Sequence, residues 1–224
     1  MAALAVDGRG RIWVASSGAS SHQDDAVYMI ERSGALPQRV ITRVRGPLGL
    51  QWLNQSLYVS SLDGVIRFSE LDPQGHFIKR QLILRGPVRG AENNNLLRTP
   101  GGRLVMAVSA VCDHCATTPR YSGAIVSFRP GGSDLRIVAG GIRAPFGLVY
   151  DHSQLYATMN QRDDLGAKTP GDWLAAIEPG QRWGFPFCYG QTGGACRRAP
   201  KAVAVLDPHG AAGGVAVLGQ VAIV

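Results

Sequence analysis

The sequence predicts an all-β fold assembled from repeated four-stranded units, and three observations carry that expectation. Arg45-Gly46-Pro47-Leu48-Gly49-Leu50 recurs as Arg143-Ala144-Pro145-Phe146-Gly147-Leu148, and each copy is followed by a polar turn and then Leu-Tyr. The apolar residues that lead each unit, Leu4, Leu50 and Leu96, fall at equal intervals of 46 residues (50 − 4 and 96 − 50), and Leu148 and Val215 continue the series at longer spacing. Twenty-nine glycines and thirteen prolines, set against only 17% charged residues, provide the many tight turns that short strands need. Four short strands repeating at this interval are the mark of a β-propeller.

The elements follow in order. Leu4-Ala5-Val6 meets an Asp7-Gly8-Arg9-Gly10 turn and then the alternating strand Arg11 to Ala15. Val27 to Arg32 and Gln38 to Val44 complete the first unit. The second runs through Leu50-Gln51-Trp52-Leu53, Ser56 to Ser60, Gly64 to Phe68 and Phe77 to Leu84. The third has Leu96-Leu97-Arg98, a Thr-Pro-Gly-Gly turn, Leu104 to Ala107, Gly123 to Phe128 and Leu135 to Ala139. The fourth opens at Leu148 and carries a long loop insertion over 160–190, and a fifth begins at Val215. No segment has the periodicity of an amphipathic helix. Residues 1–224 read as one propeller domain, an incomplete ring of about four to five blades with units starting near 4, 50, 96, 148 and 215. The chain stops inside apolar sequence, Gln220-Val221-Ala222-Ile223-Val224, which predicts a fragment of a larger propeller.

Composition narrows the partners. A hydrophobic fraction of 45% supports a full core, and no apolar run is long enough to span a bilayer. The net charge of +7 is spread thinly, without a basic run or interleaved aromatics, which argues against nucleic acid and for anionic ligands or a merely basic surface. The cysteines form two close pairs, Cys112/Cys115 and Cys188/Cys196. Two local disulfides are the favoured reading, with zinc at the C-x-x-C as the alternative. Disulfides imply an oxidising compartment, while the N-terminus lacks the pattern of a signal peptide.

In a propeller the loops entering the innermost strands converge on one end of the channel. Five positions before each lead residue stand Arg45, Ala91, Arg143 and Gly210, with His209 beside the last. Two arginines at a common funnel suit an anion, although each could equally well serve a loop carbonyl. The insertion holds Asp163, Asp164 and Asp172, oxygen ligands for a hard cation or else a solvated acidic loop. Of the histidines, His209 alone sits where function is expected.

Several motifs resemble the soluble quinoprotein sugar dehydrogenases, the glucose/sorbosone dehydrogenase family, and within it the sorbosone branch. They are Gly-Gly-Ile-Arg-Ala-Pro-Phe-Gly-Leu at 140–148, Asn-Gln-Arg-Asp-Asp-Leu-Gly at 160–166, and Gly-x-x-Trp-Gly-Phe-Pro-Phe-Cys-Tyr-Gly at 180–190. Ser-Ala-Val-Cys-Asp-His-Cys at 109–115 and Asp-Pro-His-Gly-Ala-Ala-Gly-Gly at 207–214 also fit. The resemblance implies a six-bladed propeller in the periplasm or outside the cell, with pyrroloquinoline quinone (PQQ) over the channel and calcium beneath it. It implies a sugar or aldose substrate and an external electron acceptor, and leaves the oligomeric state open.

By position, Arg143 matches the family's catalytic arginine, which also touches the cofactor. Gln161, Arg162 and Asp163 match the loop that holds cofactor and calcium, and Asp172 matches the first acidic residue of the structural calcium segment. Three positions depart from the pattern. The family's histidine base corresponds to Ala91, the asparagine after the arginine is Ala144, and Pro-Asp-Glu-Leu-Asn reads Gly171-Asp172-Trp173-Leu174-Ala175. Loss of a general base costs roughly two to four orders of magnitude in rate. A non-catalytic propeller that binds a sugar or a partner is therefore the alternative.

Overall fold

Four antiparallel sheets of four strands each stand side by side as propeller blades in the computed structural model, which describes residues 2–18, 22, 24–87, 91–115, 119–219 and 221–224. Blade 1 comprises β1 (Ala3–Val6), β2 (Ile12–Ser16), β3 (Ala26–Ile30) and β4 (Gln38–Ile41). Blade 2 comprises β5 (Gly49–Leu53), β6 (Ser56–Ser61), β7 (Gly64–Leu71) and β8 (Phe77–Arg85). In blade 3 the strands are β9 (Asn93–Arg98), β10 (Leu104–Val108), β11 (Ala124–Phe128) and β12 (Arg136–Gly140). In blade 4 they are β13 (Ala144–Asp151), β14 (Gln154–Asn160), β15 (Gly171–Ile177) and β16 (Ala204–Pro208), and a hairpin of β17 (Ala216–Leu218) and β18 (Val221–Ile223) follows. The expected all-β propeller is what the chain forms. Helix is confined to short 3₁₀ turns at Gly166–Lys168 and Gly194–Cys196 among the described residues, and no helix is long and apolar enough to cross a membrane.

The first strand of each blade lines the axis. These strands pack in series, β1 on β5, β5 on β9, β9 on β13 and β13 on β17. Between each pair of neighbouring blades lies a separate apolar core. Trp13, Val27, Leu50, Leu57 and Val59 fill the first; Tyr58, Val65, Leu96, Leu104 and Met106 the second; Val105, Ala107, Leu148, Ala157 and Trp173 the third. Alternation explains the division, since successive side chains of a strand point to opposite faces. On β6, Leu57 and Val59 face blade 1 while Tyr58 faces blade 3. A strand buried on both faces shows no polar alternation, and β6, β10 and β11 are buried throughout.

The glycine of the repeated hexapeptide has a steric cause. A Cβ on Gly49 would lie 2.5–2.6 Å from Ser60 Oγ, the Asn94 carbonyl oxygen and the Leu96 amide. On Gly147 it would lie 2.7–2.8 Å from backbone atoms of Gly214 and Val215. In both copies the glycine is where one inner strand approaches the lead segment of the next unit. A polar thread runs alongside: Ser60 Oγ donates to the Asn94 carbonyl at 2.5 Å, and Asn94 Nδ2 donates to the Pro145 carbonyl at 2.8 Å, joining blades 2, 3 and 4.

One expectation is corrected. The stretch 160–190 is not a single loop insertion, because it contains β15, the third strand of blade 4. Gly171-Asp172-Trp173-Leu174-Ala175-Ala176-Ile177 lacks alternation, as it is buried on both faces, and Gly and Pro residues flank it. Both cysteine pairs are disulfides, Cys112–Cys115 and Cys188–Cys196, which removes the zinc alternative. Gly90 and Gln220, which fell in the expected third-unit loop and the terminal run, lie outside the described residues.

Candidate functional site

Antiparallel strands place the connections from second to third strand, and from each blade to the next, at one end of the barrel of blades. Arg143 comes from the connection between blades 3 and 4. Its carbonyl accepts the Ala110 amide at 2.6 Å, which ties it to the connection between β10 and β11. From that connection Asp113, enclosed by the Cys112–Cys115 disulfide, accepts a hydrogen bond from Arg143 Nε. On the other side Arg143 Nη2 donates to Asp163 Oδ2 at 2.9 Å, in the connection between β14 and β15. Asp113 also accepts the backbone amides of Asp163 and Asp164, at 3.2 and 3.1 Å. One carboxylate thus joins the arginine to two loop amides.

Burial grades these contacts. The Arg143 side chain is 18% exposed and Asp113 31%, whereas Asp163 is 54% exposed. The Arg143–Asp113 pair is therefore the less screened of the two. His209, from the segment after blade 4, brings Nδ1 to 3.2 Å from Asp163 Oδ1. Next along the loop, Arg162 Nε and Nη2 donate to both oxygens of Asp164 at 2.6 Å, and the guanidinium lies 4.6 Å from the Tyr189 ring centroid. This fork holds the Asp164 carboxyl down at about 2, the Arg162 hydrogen bond being the principal cause.

Beneath the loop, Asp172 is 3% exposed and is engaged by backbone: Oδ1 accepts the Gln161 amide at 2.8 Å and Oδ2 the Ala212 amide at 3.4 Å. It ties the loop of blade 4 to the segment that carries His209. Gln161 is buried above it. Arg143, Gln161, Arg162, Trp183, Phe185 and Tyr189 line a small recess, and the indole Nε1 atoms of Trp173 and Trp183 beneath have no hydrogen-bond partner among the described residues.

The structure thus brings Arg143, Asp163 and His209 together, and sets Arg162 one residue away. It does not bring Arg45 to them: Arg45 Nη1 pairs with Asp63 Oδ1 at 3.3 Å on its own blade. Ala91 is 2% exposed and packs with Leu96, Val108 and Tyr121 in the core between blades 2 and 3, while the neighbouring Glu92 is exposed. Position 91 therefore faces the interior. Sequence reasoning missed Asp113 as a partner, and also Asp63 and Asp25. A signal existed: an acidic residue follows the second strand in three blades, as Asp63, Asp113 and Asp163, and each pairs with an inter-blade arginine, Arg45 or Arg143. In blade 1 the equivalent connection holds buried Asp25. Burial alone would raise its pKa, but bonds from the Gly46 and Gly18 amides and from His22 bring it below the ordinary carboxyl value.

The charge balance tests which group could bind. Three carboxylates (Asp113, Asp163, Asp164) face two guanidinium groups (Arg143, Arg162), so the cluster carries a surplus negative charge and favours a cation. Asn160 Oδ1 and Thr169 Oγ1, flanking the loop, are buried oxygens without partners among the described residues. Among the described residues no three His, Cys, Asp or Glu side chains converge as a metal group, so calcium here would take backbone and amide oxygens. Arg143 Nη1 makes no hydrogen bond among the described residues, leaving it free for an anionic ligand such as a quinone carboxylate.

No family model and no curated protein matches the sequence. Solved structures do match the fold. The PQQ-bound aldose sugar dehydrogenase of Streptomyces coelicolor superposes with a TM-score of 0.78 at 19% identity, covering 96% of this chain and 70% of that one. The PQQ domain of Coprinopsis cinerea pyranose dehydrogenase gives 0.76 at 15% identity, over 97% and 68%. An oxidoreductase of Thermus thermophilus described as a glucose dehydrogenase gives 0.71 at 17% identity, over 98% and 74%. At these identities the likeness shows the propeller fold.

Proposed function

We propose that the chain is a quinoprotein sugar dehydrogenase, oxidising a sugar or aldose with PQQ as the first acceptor and an external compound as the final one. The observation that carries this reading is the convergence of Arg143, Asp113, Asp163 and His209 from separate connections at one end of a propeller whose structural neighbours include PQQ-bound sugar dehydrogenases. PQQ would supply an acceptor for the hydride leaving the sugar carbon, and calcium a Lewis acid that polarises that acceptor. The residues of the chain supply the rest. Arg143, with Nη1 unengaged among the described residues, holds the cofactor's anionic side. Oxygens of Gln161, Arg162 and Asp163 would hold the calcium, and Asp172 keeps that loop in place through the Gln161 amide. With position 91 in the core, His209 takes the sugar hydroxyl proton, as its Nε2 is left free by the approach of Nδ1 to Asp163. The two disulfides support a location in the periplasm or outside the cell.

A second reading has its own support. The buried Ala91 and the double pairing of Arg143 suit a propeller that binds a sugar or a partner without turnover. Dye reduction with several aldoses, after addition of PQQ and calcium, separates the two. The dehydrogenase reading expects a rate that His209→Ala lowers roughly 100-fold or more and Arg143→Ala abolishes. Saturable sugar binding without any dye reduction would instead establish the binding module.

A further inference from the structure

The turns joining first to second and third to fourth strands lie at the opposite end of the blades from Arg143. There, between blades 1 and 2, opens a cleft of about 740 Å³, within the range that encloses small ligands. Its walls are the turn after β1 (Asp7, Gly8, Arg9, Arg11), the turn after β5 (Trp52, Asn54, Gln55, Ser56) and the outer part of β7 with its turn.

Charge pairing within the cleft is uneven. Asp7 is fully engaged: Oδ1 accepts the Arg9 and Arg11 amides at 2.9 and 3.0 Å, and Oδ2 accepts Arg11 Nε at 2.7 Å and Trp13 Nε1 at 3.1 Å. Burial would raise its pKa, and these four donors outweigh that and hold it low. Glu70 is bonded to Lys79, and Asp72 takes the His76 amide at 2.7 Å. The three carboxylates are thus occupied. Two guanidinium groups are not. Arg67 Nε donates to Ser56 Oγ at 3.1 Å, and among the described residues neither Arg67 nor Arg9 has a carboxylate partner. The cleft therefore presents unspent donors in fork geometry to an anion.

The remaining lining is not that of a simple anion hole. Trp52, half-buried and stacked on Trp13 with centroids 5.6 Å apart, provides a flat apolar wall. Asn54, Gln55 and Ser69 offer amides and a hydroxyl that both donate and accept, the pairing that vicinal hydroxyls require. We propose that this cleft is a second binding site, specific for an acidic sugar whose ring packs on Trp52 and whose carboxylate is taken by Arg67 and Arg9. It does not depend on the chemistry at the Arg143 end.

Calorimetric titration of the full chain with D-glucuronate, D-glucose and inorganic sulfate tests it. Saturable glucuronate binding is expected, with glucose and sulfate at least roughly ten-fold weaker. Arg67→Gln should weaken glucuronate roughly ten- to hundred-fold and Arg9→Gln several-fold, the loss of one charge-assisted contact each. Arg143→Ala should leave it unchanged. Should Arg67→Gln fail to fold by its melting curve, Arg9→Gln and quenching of tryptophan fluorescence decide. Equal binding of sulfate would reduce the cleft to an unspecific anion site, and equal binding of glucose would remove the role of the arginines; either overturns the proposal. Glucuronate binding that survives both arginine changes, or vanishes in Arg143→Ala, or is absent altogether, overturns it as well.

Discussion

Replacing Asp113 by alanine should loosen the whole Arg143 end, because this carboxylate receives Arg143 Nε together with the amides of Asp163 and Asp164. Hydrogen bonds to a charged group are worth about 1.5–3 kcal/mol when well buried. Asp113 is 31% exposed, so solvent screens each contact to well under that. Counting roughly 0.5–1 kcal/mol per donor after screening gives a loss of about 2 kcal/mol. For a domain of this size about 1 kcal/mol moves the melting temperature by roughly 2–4 °C, so Asp113→Ala should melt about 4–8 °C lower. Asp163→Ala removes a contact that is 54% exposed and should cost less, about 0–1 kcal/mol. Thermal unfolding by circular dichroism gives the melting points, and hydrogen exchange reads the amides of residues 163 and 164, which should exchange faster only in Asp113→Ala. The double change Asp113→Ala/Arg143→Ala should be less costly than the sum of its parts, since the two residues share one interaction. If Asp113→Ala melts within about 1 °C of the parent, or if Asp163→Ala costs as much, the account of Asp113 as the clasp is wrong.

Two further outcomes follow from the geometry. Gly49→Ala must push a Cβ into backbone of the next blade and should cost about 1–3 kcal/mol or more, while Gly8→Ala, with open space around it, should stay within about 0.5 kcal/mol; denaturant unfolding compares them. Asp164 has a folded-state value of about 2, below the ordinary 3.8, so its pairing with Arg162 stabilises the fold fully above that unfolded value and is lost as pH falls through about 2. An NMR titration of its carboxyl carbon should show a midpoint near about 2 in the parent and near the ordinary value in Arg162→Gln; a midpoint that ignores Arg162 would refute the fork.

The fold was legible because the repeat is written locally. Turns such as Asp7-Gly8-Arg9-Gly10 sit within single connections where near neighbours decide conformation. The hexapeptide around Gly49 and Gly147 recurs because each copy meets the next unit in the same way. Strand β15 escaped for the opposite reason: burial on both faces erases the alternation that marks a strand, leaving an apolar run among glycine and proline. The site was legible by halves. Arg143 and His209 could be placed from the repeat, but the partners of Arg143 lie 30 residues before it and 20 after it, on different blades, and pairing across blades leaves no local trace. Ala91 shows the limit of positional equivalence. Its place in the repeat matches that of Arg143, yet its side chain packs into the core between blades 2 and 3.

The division of the interior into three cores, each shared by two adjacent blades, bears on how such a molecule can change over evolutionary time. Every blade answers only to its neighbours, so a duplicated unit adds one interface and leaves the others undisturbed. Two of the units carry an arginine at the entry and an acidic residue after the second strand that pairs with it, Arg45 with Asp63 and Arg143 with Asp163. A pair that first served only to fasten one connection is then free to diverge in one copy while its twin goes on fastening. Reactive chemistry in such a protein can therefore begin as spare joinery.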